Sequence, residues 1–301
     1  MTKKSQKILQ DLPHIRNAVD DLRETILSNL IMLEEVSAPT FYEQDRANLV
    51  VERLAEYGLE NCSVDEKMNG FGILPGKDGK RNILMVSNSD SLVGKKQVST
   101  VEIRTGNVLG PFVGDNSPAL ASIVSIPLLL EKLGLELKSN LILMAASRSL
   151  GRANLEGLKF FLNETTVPIH FSLFVESVAL GRLNHTCLGI MRGDIICSLP
   201  KNYNWARFGS MGSIIPMNDV ISQISNIPLP NRPLTRIIMG SIHGGISYQN
   251  IARKTTLSFE VRSESAEELT RTEQRIRDIS DEVAANSGVK VTLDVFARRD
   301  P

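Results

Sequence analysis

The sequence has few of the features that mark a secreted, disulfide-rich or metal-knuckle protein. It contains only three cysteines in 301 residues, Cys62, Cys187 and Cys197, and these lie far apart. Their spacing includes no CxxC pair, which argues against a zinc knuckle and against a disulfide framework. We therefore expect reduced thiols and a cytoplasmic protein.

The sequence also lacks an excess of either charge and lacks long apolar runs. Lys plus Arg and Asp plus Glu each number 34, so no net field attracts the chain to nucleic acid or to an anionic membrane. The apolar run at residues 126–130 meets Glu131 and Lys132 at once, far short of a membrane span. Charged and polar residues between Asp11 and Asp21 interrupt the N-terminal segment before a signal-peptide core could form. We expect neither a nucleic-acid nor a membrane partner.

The first part of the chain alternates between two hydrophobic periods. Residues 15–35 carry apolar side chains at helical spacing, and residues 40–43 form a capping-box pattern that opens a second helix. Strand-like runs follow at residues 70–74, 82–86, 141–145 and 172–175, with helical segments at 119–133 and 155–162. Such alternation predicts an α/β domain with a mostly parallel sheet and helices on both faces.

After His185 the pattern changes to strand, helix, two strands, helix and strand. The predicted ranges are 188–199, 218–226, 235–241, 255–261, 266–287 and 289–296. This β-α-β-β-α-β order is the ferredoxin-like signature. We therefore predict two domains, residues 1–185 and residues 186–301.

Polar residues follow two predicted strands of the first domain and occupy one turn between them. Residues 82–86 lead into Asn88-Ser89-Asp90, a glycine-rich turn carries Asp115, and residues 141–146 lead into Ser147-Arg148. The order and spacing of these segments resemble the M20 family of metallopeptidases, in particular its peptidase T-like (tripeptidase-like) branch. The resemblance covers nearly the whole chain and extends to residues 36–43, 74–77, 180–185, 205–209, 244–247 and 259–263.

The resemblance implies a two-zinc α/β domain and an inserted lid domain that dimerises edge to edge. Two zinc ions that share a water need His nitrogens and carboxylates, one carboxylate bridging and another Glu acting as general base. In this family the chain returns after the lid to complete the sheet and to supply a last metal-binding His. This sequence stops at Pro301, so we expect a first domain that is incomplete by the family's standard.

The positions of several metal ligands are altered in this sequence. Asn88 stands where the family has a His, and Ser147-Arg148 stands where it has a Glu base followed by a Glu ligand. Shifting the motif by one residue gives Arg148-Ser149, which contains no carboxylate either. A guanidinium about 4 Å from a divalent ion would repel it by roughly 8 kcal/mol at an effective dielectric of 20. Arg148 therefore argues against metal, unless it points to solvent.

Three acidic residues remain at family positions. Asp115 matches the bridging Asp, or it caps the following helix. Asp90 matches the Asp that orients the ligand His, and Glu176 matches a metal carboxylate or is a solvated strand-end acid. We expect the three carboxylates to converge at the C-terminal ends of their strands. Because they cannot all stay ionised without a cation, we expect Arg148 to pair with them in place of the metal.

The resemblance also implies substrate contacts in the second domain. Tyr203 occupies the position of the lid His that polarises the substrate carbonyl, or it is an interface aromatic. Gln249, or Asn250 after a shift of one residue, matches a lid Asn, and Arg262 keeps its family place or is only a strand charge. No histidine occupies a ligand position; the four are His14, His170, His185 and His243.

The sequence thus predicts a peptidase-like protein that has lost its hydrolytic centre. We expect a homodimer, formed through the lid, that acts as a binding or regulatory module for a peptide or small molecule. We expect no cofactor, whereas the family binds two zinc ions per chain. The alternative is a metal-dependent peptidase or amidohydrolase with altered ligands, in which Asp90, Asp115 and Glu176 hold one hard cation through oxygens.

Overall fold

The computed structural model describes residues 3–92, 100–177, 181–201, 203 and 212–301. The chain divides into two compact units, Met1–Arg182 (unit 1) and Leu183–Pro301 (unit 2). None of the helices in the described ranges combines the length and the apolar composition of a membrane-spanning segment.

Unit 1 begins with three helices, α1 (Lys3–Asp21), α2 (Arg23–Glu35) and α3 (Gln44–Glu56). The sequence predicts one helix over residues 15–35, whereas the structure starts the helical segment at Lys3 and breaks it at Leu22. The apolar periodicity does not predict the first turns of α1, because Leu9 and Leu12 are exposed and these turns have no continuous buried apolar face. The sequence predicts a capping box at residues 40–43, but no side chain forms a capping hydrogen bond at the start of α3, so the capping-box prediction is wrong.

The central sheet of unit 1 has five strands in the order β1-β2-β6-β3-β7. Strands β6, β3 and β7 are parallel to one another, whereas β1 and β2 run antiparallel at one side. A short hairpin, β4 with β5, stands apart from this sheet. The strands are β1 (Glu60–Val64), β2 (Gly70–Leu74), β3 (Asn82–Asn88), β4 (Glu102–Arg104), β5 (Asn107–Leu109), β6 (Asn140–Ala146) and β7 (Phe171–Phe174).

Helices cover both faces of this sheet, as expected for the mixed α/β class. The remaining helices of unit 1 are α4 (Ser117–Val124), α5 (Ile126–Lys132) and α6 (Glu156–Glu164). On one face, Leu120 of α4 belongs to the cluster that includes Leu143 of β6. On the other face, Phe161 of α6 packs with Leu84 and Ile142. Strand β6 is buried almost throughout, which explains its unbroken apolar sequence.

Unit 2 contains a four-stranded antiparallel sheet in the order β11-β8-β10-β9. One face of this sheet packs against two helices through a core that includes Met191, Leu257 and Ile276. The elements follow the predicted strand and helix order. They are β8 (Gly189–Ser198), α7 (Ile214–Ser225), β9 (Thr235–Gly244), β10 (Lys254–Ser263), α8 (Ala266–Ser287) and β11 (Lys290–Arg299). The role of this unit as a lid stays a prediction.

Candidate functional site

The C-terminal ends of β6, β3 and β7 lie side by side at one edge of the central sheet. Asn88 at the end of β3 pairs with Ala146 at the end of β6. On the other side of β3, the amide of Val175 donates to the carbonyl of Val86 at 2.8 Å. The fold therefore brings Asn88, Ser147-Arg148 and Glu176 to one edge, where α/β sheets place their sites.

Asp90 is buried, and both of its carboxylate oxygens accept hydrogen bonds. Its Oδ2 accepts from Thr40 Oγ1 at 2.9 Å, from Ser149 N at 2.8 Å and from Leu150 N at 2.9 Å, and its Oδ1 accepts from Ser149 Oγ at 2.5 Å. These bonds hold the loop after β6 to the loops that carry Thr40 and Asp90. Asp90 therefore organises the edge of the sheet, because its oxygens are occupied by loop donors.

The buried Arg46 of α3 supports the same loops. Its guanidinium donates to the carbonyl of Val36 at 2.7 and 2.9 Å and to the carbonyl of Ser89 at 3.0 Å. Burial lowers the pKa of Arg46, and the nearby carboxylates of Glu34 and Asp90 counteract that lowering. The sequence places Arg46 in a helix without indicating that it is a buried cation, because its acceptors are backbone carbonyls of distant loops.

Ser147, at the position predicted for the family's base, is completely buried. Its hydroxyl donates to the carbonyl of Lys67, and its amide donates to Asn69 Oδ1 at 2.9 Å. Gly157 in the first turn of α6 packs so closely that an added Cβ would lie 2.5 Å from Asn69 Oδ1 and from the Ser147 carbonyl oxygen. Ser147 is therefore closely packed where the loop before β2, the end of β6 and the start of α6 meet.

Arg148 pairs with a residue that sequence reasoning did not single out. Its Nη1 donates to Glu156 Oε1 at 3.0 Å, and its guanidinium lies 5.5 Å from the centre of the Phe41 ring. Its side chain is 17% exposed, so it does not point to solvent. The expectation that Arg148 pairs with Asp115 or Glu176 is wrong. Arg148 has a left-handed backbone, with φ of 54°, and its side chain meets the first turn of α6 instead.

Glu43 is a second residue that the sequence analysis missed. It is completely buried, and its Oε1 accepts the backbone amide of Arg148 at 2.8 Å. Its Oε2 has no hydrogen-bond partner among the described residues. Burial raises the pKa of Glu43, and the charge of Asp90 adds to that rise. The only sequence signal was an acid at the start of a helix, which does not indicate burial against a loop 105 residues away.

Asp115 and Glu176 are exposed neighbours at the β7 side of the edge. Between them, Ser177 N donates to Asn116 Oδ1 at 2.9 Å and Ser177 Oγ accepts from Ala119 N at 3.0 Å. The surrounding protein raises the pKa of Glu176, and the charge of Asp115 raises it further. Asp115 does not cap α4, because Asn116 precedes that helix and Ser177 supplies the oxygen for the Ala119 amide. The helix-cap alternative is therefore wrong.

Asn88 presents an amide oxygen, Oδ1, that is buried and has no hydrogen-bond partner among the described residues. Its backbone carbonyl accepts from Asn116 Nδ2 at 3.5 Å, and the same Nδ2 donates to Ser87 Oγ at 3.0 Å. The structure thus joins the end of β3 to the turn that carries Asp115.

The donor set at this edge does not fit a pair of zinc ions. Zinc prefers His nitrogens, thiolates and carboxylates, but the edge offers the neutral amide of Asn88 and the two carboxylates of Asp115 and Glu176. Both oxygens of Asp90 accept from loop donors, and the expected convergence of the three acids stays a prediction. Within the described ranges, no group of three or more His, Cys, Asp or Glu is arranged to hold a metal ion.

The residues of unit 2 that the sequence predicts as substrate contacts have the following surroundings within that unit. Tyr203 packs partly buried against the unit 2 core. Gln249 and Asn250 are exposed, and Asn250 Nδ2 donates to Ser247 Oγ at 2.7 Å. Arg262 Nε donates to Glu260 Oε1. Their roles toward a ligand stay predictions, and the motif at residues 205–209 lies outside the described residues.

Comparison with known proteins shows the fold and no closer relationship. No family model matches the chain, and no curated protein matches it. The solved structures with a similar fold include the aminopeptidase PepT from Bacillus cereus, with 17% identity and a TM-score of 0.64, covering 90% of this chain and 75% of that one. The di-peptidase Dug1p from Saccharomyces cerevisiae has 14% identity and a TM-score of 0.73, covering 96% and 80%.

A third similar structure is the YXEP protein from Bacillus subtilis, described as a dinuclear metal-binding peptidase from the M20 family. It has 13% identity and a TM-score of 0.59, and the match covers 93% of this chain and 75% of that one. The chain therefore shares its fold with M20-family peptidases. At these identities the likeness concerns the fold, so the chemistry must be argued from the residues at the strand ends.

Proposed function

We propose that this protein is a peptidase-like binding module without hydrolytic activity. The environment of Ser147 carries the proposal. A metallopeptidase of this fold needs a carboxylate base beside its metal-bound water, and the corresponding side chain here is a buried serine bonded to Lys67 O. Gly157 packs so closely against Ser147 that a Cβ added at Gly157 would lie 2.5 Å from the Ser147 hydroxyl oxygen. The ligand we propose, a peptide or a small molecule, follows from the likeness to peptidases.

The next residue supports the same proposal. The second carboxylate of the family pair is replaced by Arg148, whose positive charge is held at this edge by Glu156 and by the Phe41 ring. Lys67 donates to the same Glu156 oxygen at 2.6 Å. Two cations therefore share one carboxylate next to the position of the lost ligand, an arrangement that disfavours a divalent metal ion.

A specific observation favours one alternative function. Asp115 and Glu176 are close enough for the charge of one to raise the pKa of the other, and neither has an ion-pair partner within the described residues. Two such carboxylates, with Asn88 Oδ1, could hold one hard cation. The alternative is a metal-dependent peptidase or amidohydrolase with altered ligands.

Peptide turnover separates the two functions. The protein, purified without chelators and supplied with zinc or manganese, is assayed on di- and tripeptides beside its Asp115→Asn and Glu176→Gln variants. The proposal expects no turnover from any of the three proteins. Chelator-sensitive turnover by the unmodified protein that disappears in both variants would establish the alternative.

We also propose that the protein forms a homodimer through unit 2. Strand β9 is an edge strand of its sheet, and it exposes Ile238 and Ile242. Helix α7 exposes Ile214 and Ile215 as well. An exposed edge strand with apolar side chains pairs readily with a second copy, and a two-fold axis lets both copies use the same surface.

Light scattering of point variants tests the dimer. Ile238→Lys places a charge on the exposed edge and should give a monomer, whereas the unmodified protein should be a dimer at micromolar concentration. Leu9→Lys is a matched control, since Leu9 is also an exposed apolar residue but lies on α1 of unit 1. The proposal fails if the unmodified protein is monomeric or if both variants remain dimeric.

A further inference from the structure

One end of the open face of the unit 2 sheet gathers arginines from three strands. Ile190 of β8 pairs with Arg262 of β10 on one side and with Arg299 of β11 on the other. In the next row, Arg192 of β8 pairs with Glu260 of β10. Since paired residues share a face of a sheet, three guanidinium groups lie around one carboxylate. The next acids on this face, Asp194 and Asp294, lie one row further along, opposite each other.

Both carboxylate oxygens of Glu260 accept from these arginines. Its Oε2 accepts from Arg192 Nε at 2.5 Å, and its Oε1 accepts from Arg262 Nε. Burial raises the pKa of Glu260, but the hydrogen bonds from Arg192 and Arg262 outweigh this effect and hold the pKa below its ordinary value. Glu260 is therefore an ionised carboxylate with both oxygens engaged.

Arg299 is left without an acidic partner. It is half-buried, and no described residue accepts a hydrogen bond from its guanidinium or forms an ion pair with it. The adjacent acid, Asp300, lies 3.7 Å from Arg298 Nε instead. The residues outside the described ranges include no Asp or Glu that could serve.

The surroundings of Arg299 oppose its charge. Burial lowers the pKa of Arg299, the positive charge of Arg192 lowers it further, and Glu260 only partly compensates. Arg299 and Arg192 are the half-buried arginines of the described part of unit 2, and the others there are exposed. A guanidinium has five donors, and leaving them unused away from water costs free energy. An anion at this position would use the donors and balance the charge.

We propose that Arg299, with Arg192 beside it, binds an oxyanion of the phosphate type, either inorganic phosphate or the phosphate group of a small molecule. The planar fork of a guanidinium matches two phosphate oxygens. A phosphate dianion carries two charges and has oxygens on several sides, so it suits two arginines from neighbouring strands better than a carboxylate with one charge and two oxygens does. The site lies within unit 2 and does not depend on the proposed function.

An exposed cysteine provides a local probe of this site. Cys187 is exposed, and its thiol is close enough to act electrostatically on Arg299. The other two thiols should react more slowly, because burial raises the pKa of Cys62 and raises that of Cys197 to about 11, and the thiolate is the reactive form. The rates at which Cys187 reacts with iodoacetate, an anion, and with iodoacetamide, which is neutral, can be followed by peptide mass spectrometry. Their ratio reports the local positive potential.

The experiment titrates the full-length chain with inorganic phosphate at constant ionic strength, with chloride as the balancing salt. We expect phosphate to lower the iodoacetate to iodoacetamide ratio at Cys187 in a saturable way and to raise the thermal unfolding midpoint. Acetate at the same ionic strength should do neither at these concentrations.

Two variants decide whether Arg299 is responsible. Arg299→Gln should weaken the phosphate response at least tenfold, and its unfolding midpoint without phosphate should not fall, since the change removes an unpaired charge. Arg236→Gln is the control. Arg236 lies opposite Arg262, but its guanidinium already donates to Thr235 O and Asn231 Oδ1. The Arg236→Gln variant should therefore respond to phosphate as the unmodified protein does. The proposal is overturned if Arg299→Gln keeps the unmodified half-saturation, or if acetate acts as well as phosphate.

Discussion

Replacing Asp90 by Asn tests whether this carboxylate organises the sheet edge. Asp90 is 3% exposed and accepts four hydrogen bonds, two of them from the backbone amides of Ser149 and Leu150. An Asn side chain keeps one acceptor oxygen, but its NH₂ group would face a donor on the other side. A charge-assisted hydrogen bond contributes roughly 1.5–3 kcal/mol, and a buried donor left unpaired costs about 1–3 kcal/mol.

In Asp90→Asn the amide oxygen can keep the three bonds that Oδ2 accepts, but these bonds lose the charge of the carboxylate, and the bond from Ser149 Oγ to Oδ1 is lost. The losses are not additive because the donors Ser149 and Leu150 share one loop. We therefore expect a loss of roughly 3–5 kcal/mol in the free energy of unfolding, comparable to breaking a buried pair. The measurement is urea unfolding followed by circular dichroism, with the slope checked to confirm a common unfolding transition.

Asp115→Asn is the matched control, because Asp115 is exposed and has no ion-pair partner within the described residues. It should change the free energy of unfolding by less than about 0.5 kcal/mol. If Asp90→Asn costs less than about 1 kcal/mol, its hydrogen bonds do not hold the loops. If Asp115→Asn is as costly as Asp90→Asn, both acids belong to one coupled site and the structural role assigned to Asp90 is wrong.

Three further substitutions give expected outcomes of different sign. Glu43→Gln keeps an acceptor for the Arg148 amide. Because the pKa of Glu43 is raised in the folded state, the unmodified protein should lose stability as the pH rises from the ordinary pKa of 4.5 through the raised pKa. Urea unfolding between about pH 4 and 8 should show this loss in the unmodified protein and not in the variant. Arg148→Ala should cost only about 1 kcal/mol, since Glu156 is 36% exposed and keeps Lys67 as a partner; a cost above about 3 kcal/mol would indicate a buried pair. Gly157→Ala should destabilise the protein by about 1–3 kcal/mol, because the new methyl group meets backbone oxygen; the usual gain of about 1 kcal/mol for this change in a helix would contradict the packing.

Local signals in the sequence predict individual elements well. Helix α8 begins and ends where the sequence predicts, because Ser265 accepts the amide of Glu268 at its start and Gly288 adopts a left-handed conformation at its end. The strand ends that carry Asn88, Ser147 and Glu176 are also predictable, since they follow from the order of apolar runs and from the parallel arrangement of β6, β3 and β7.

The partners of the polar side chains are not predictable in the same way. Asp90 meets donors about 50 and 60 residues away, and Glu43 meets an amide 105 residues away. Arg148 selects Glu156 because a left-handed backbone turns it toward α6, and no residue pattern announces a positive φ at an arginine. Identity at a motif position therefore predicts which residues share the edge, whereas side-chain direction decides which of them interact.

Zinc content tests the central proposal most directly. The protein is expressed in zinc-supplemented medium, purified without chelators, and measured by native mass spectrometry and elemental analysis. The account predicts no stoichiometric zinc, because the position predicted for the base holds a buried serine and Arg148 places a cation beside the position predicted for a metal ligand. Two zinc ions bound per chain, with peptide hydrolysis that stops on chelation, would contradict it.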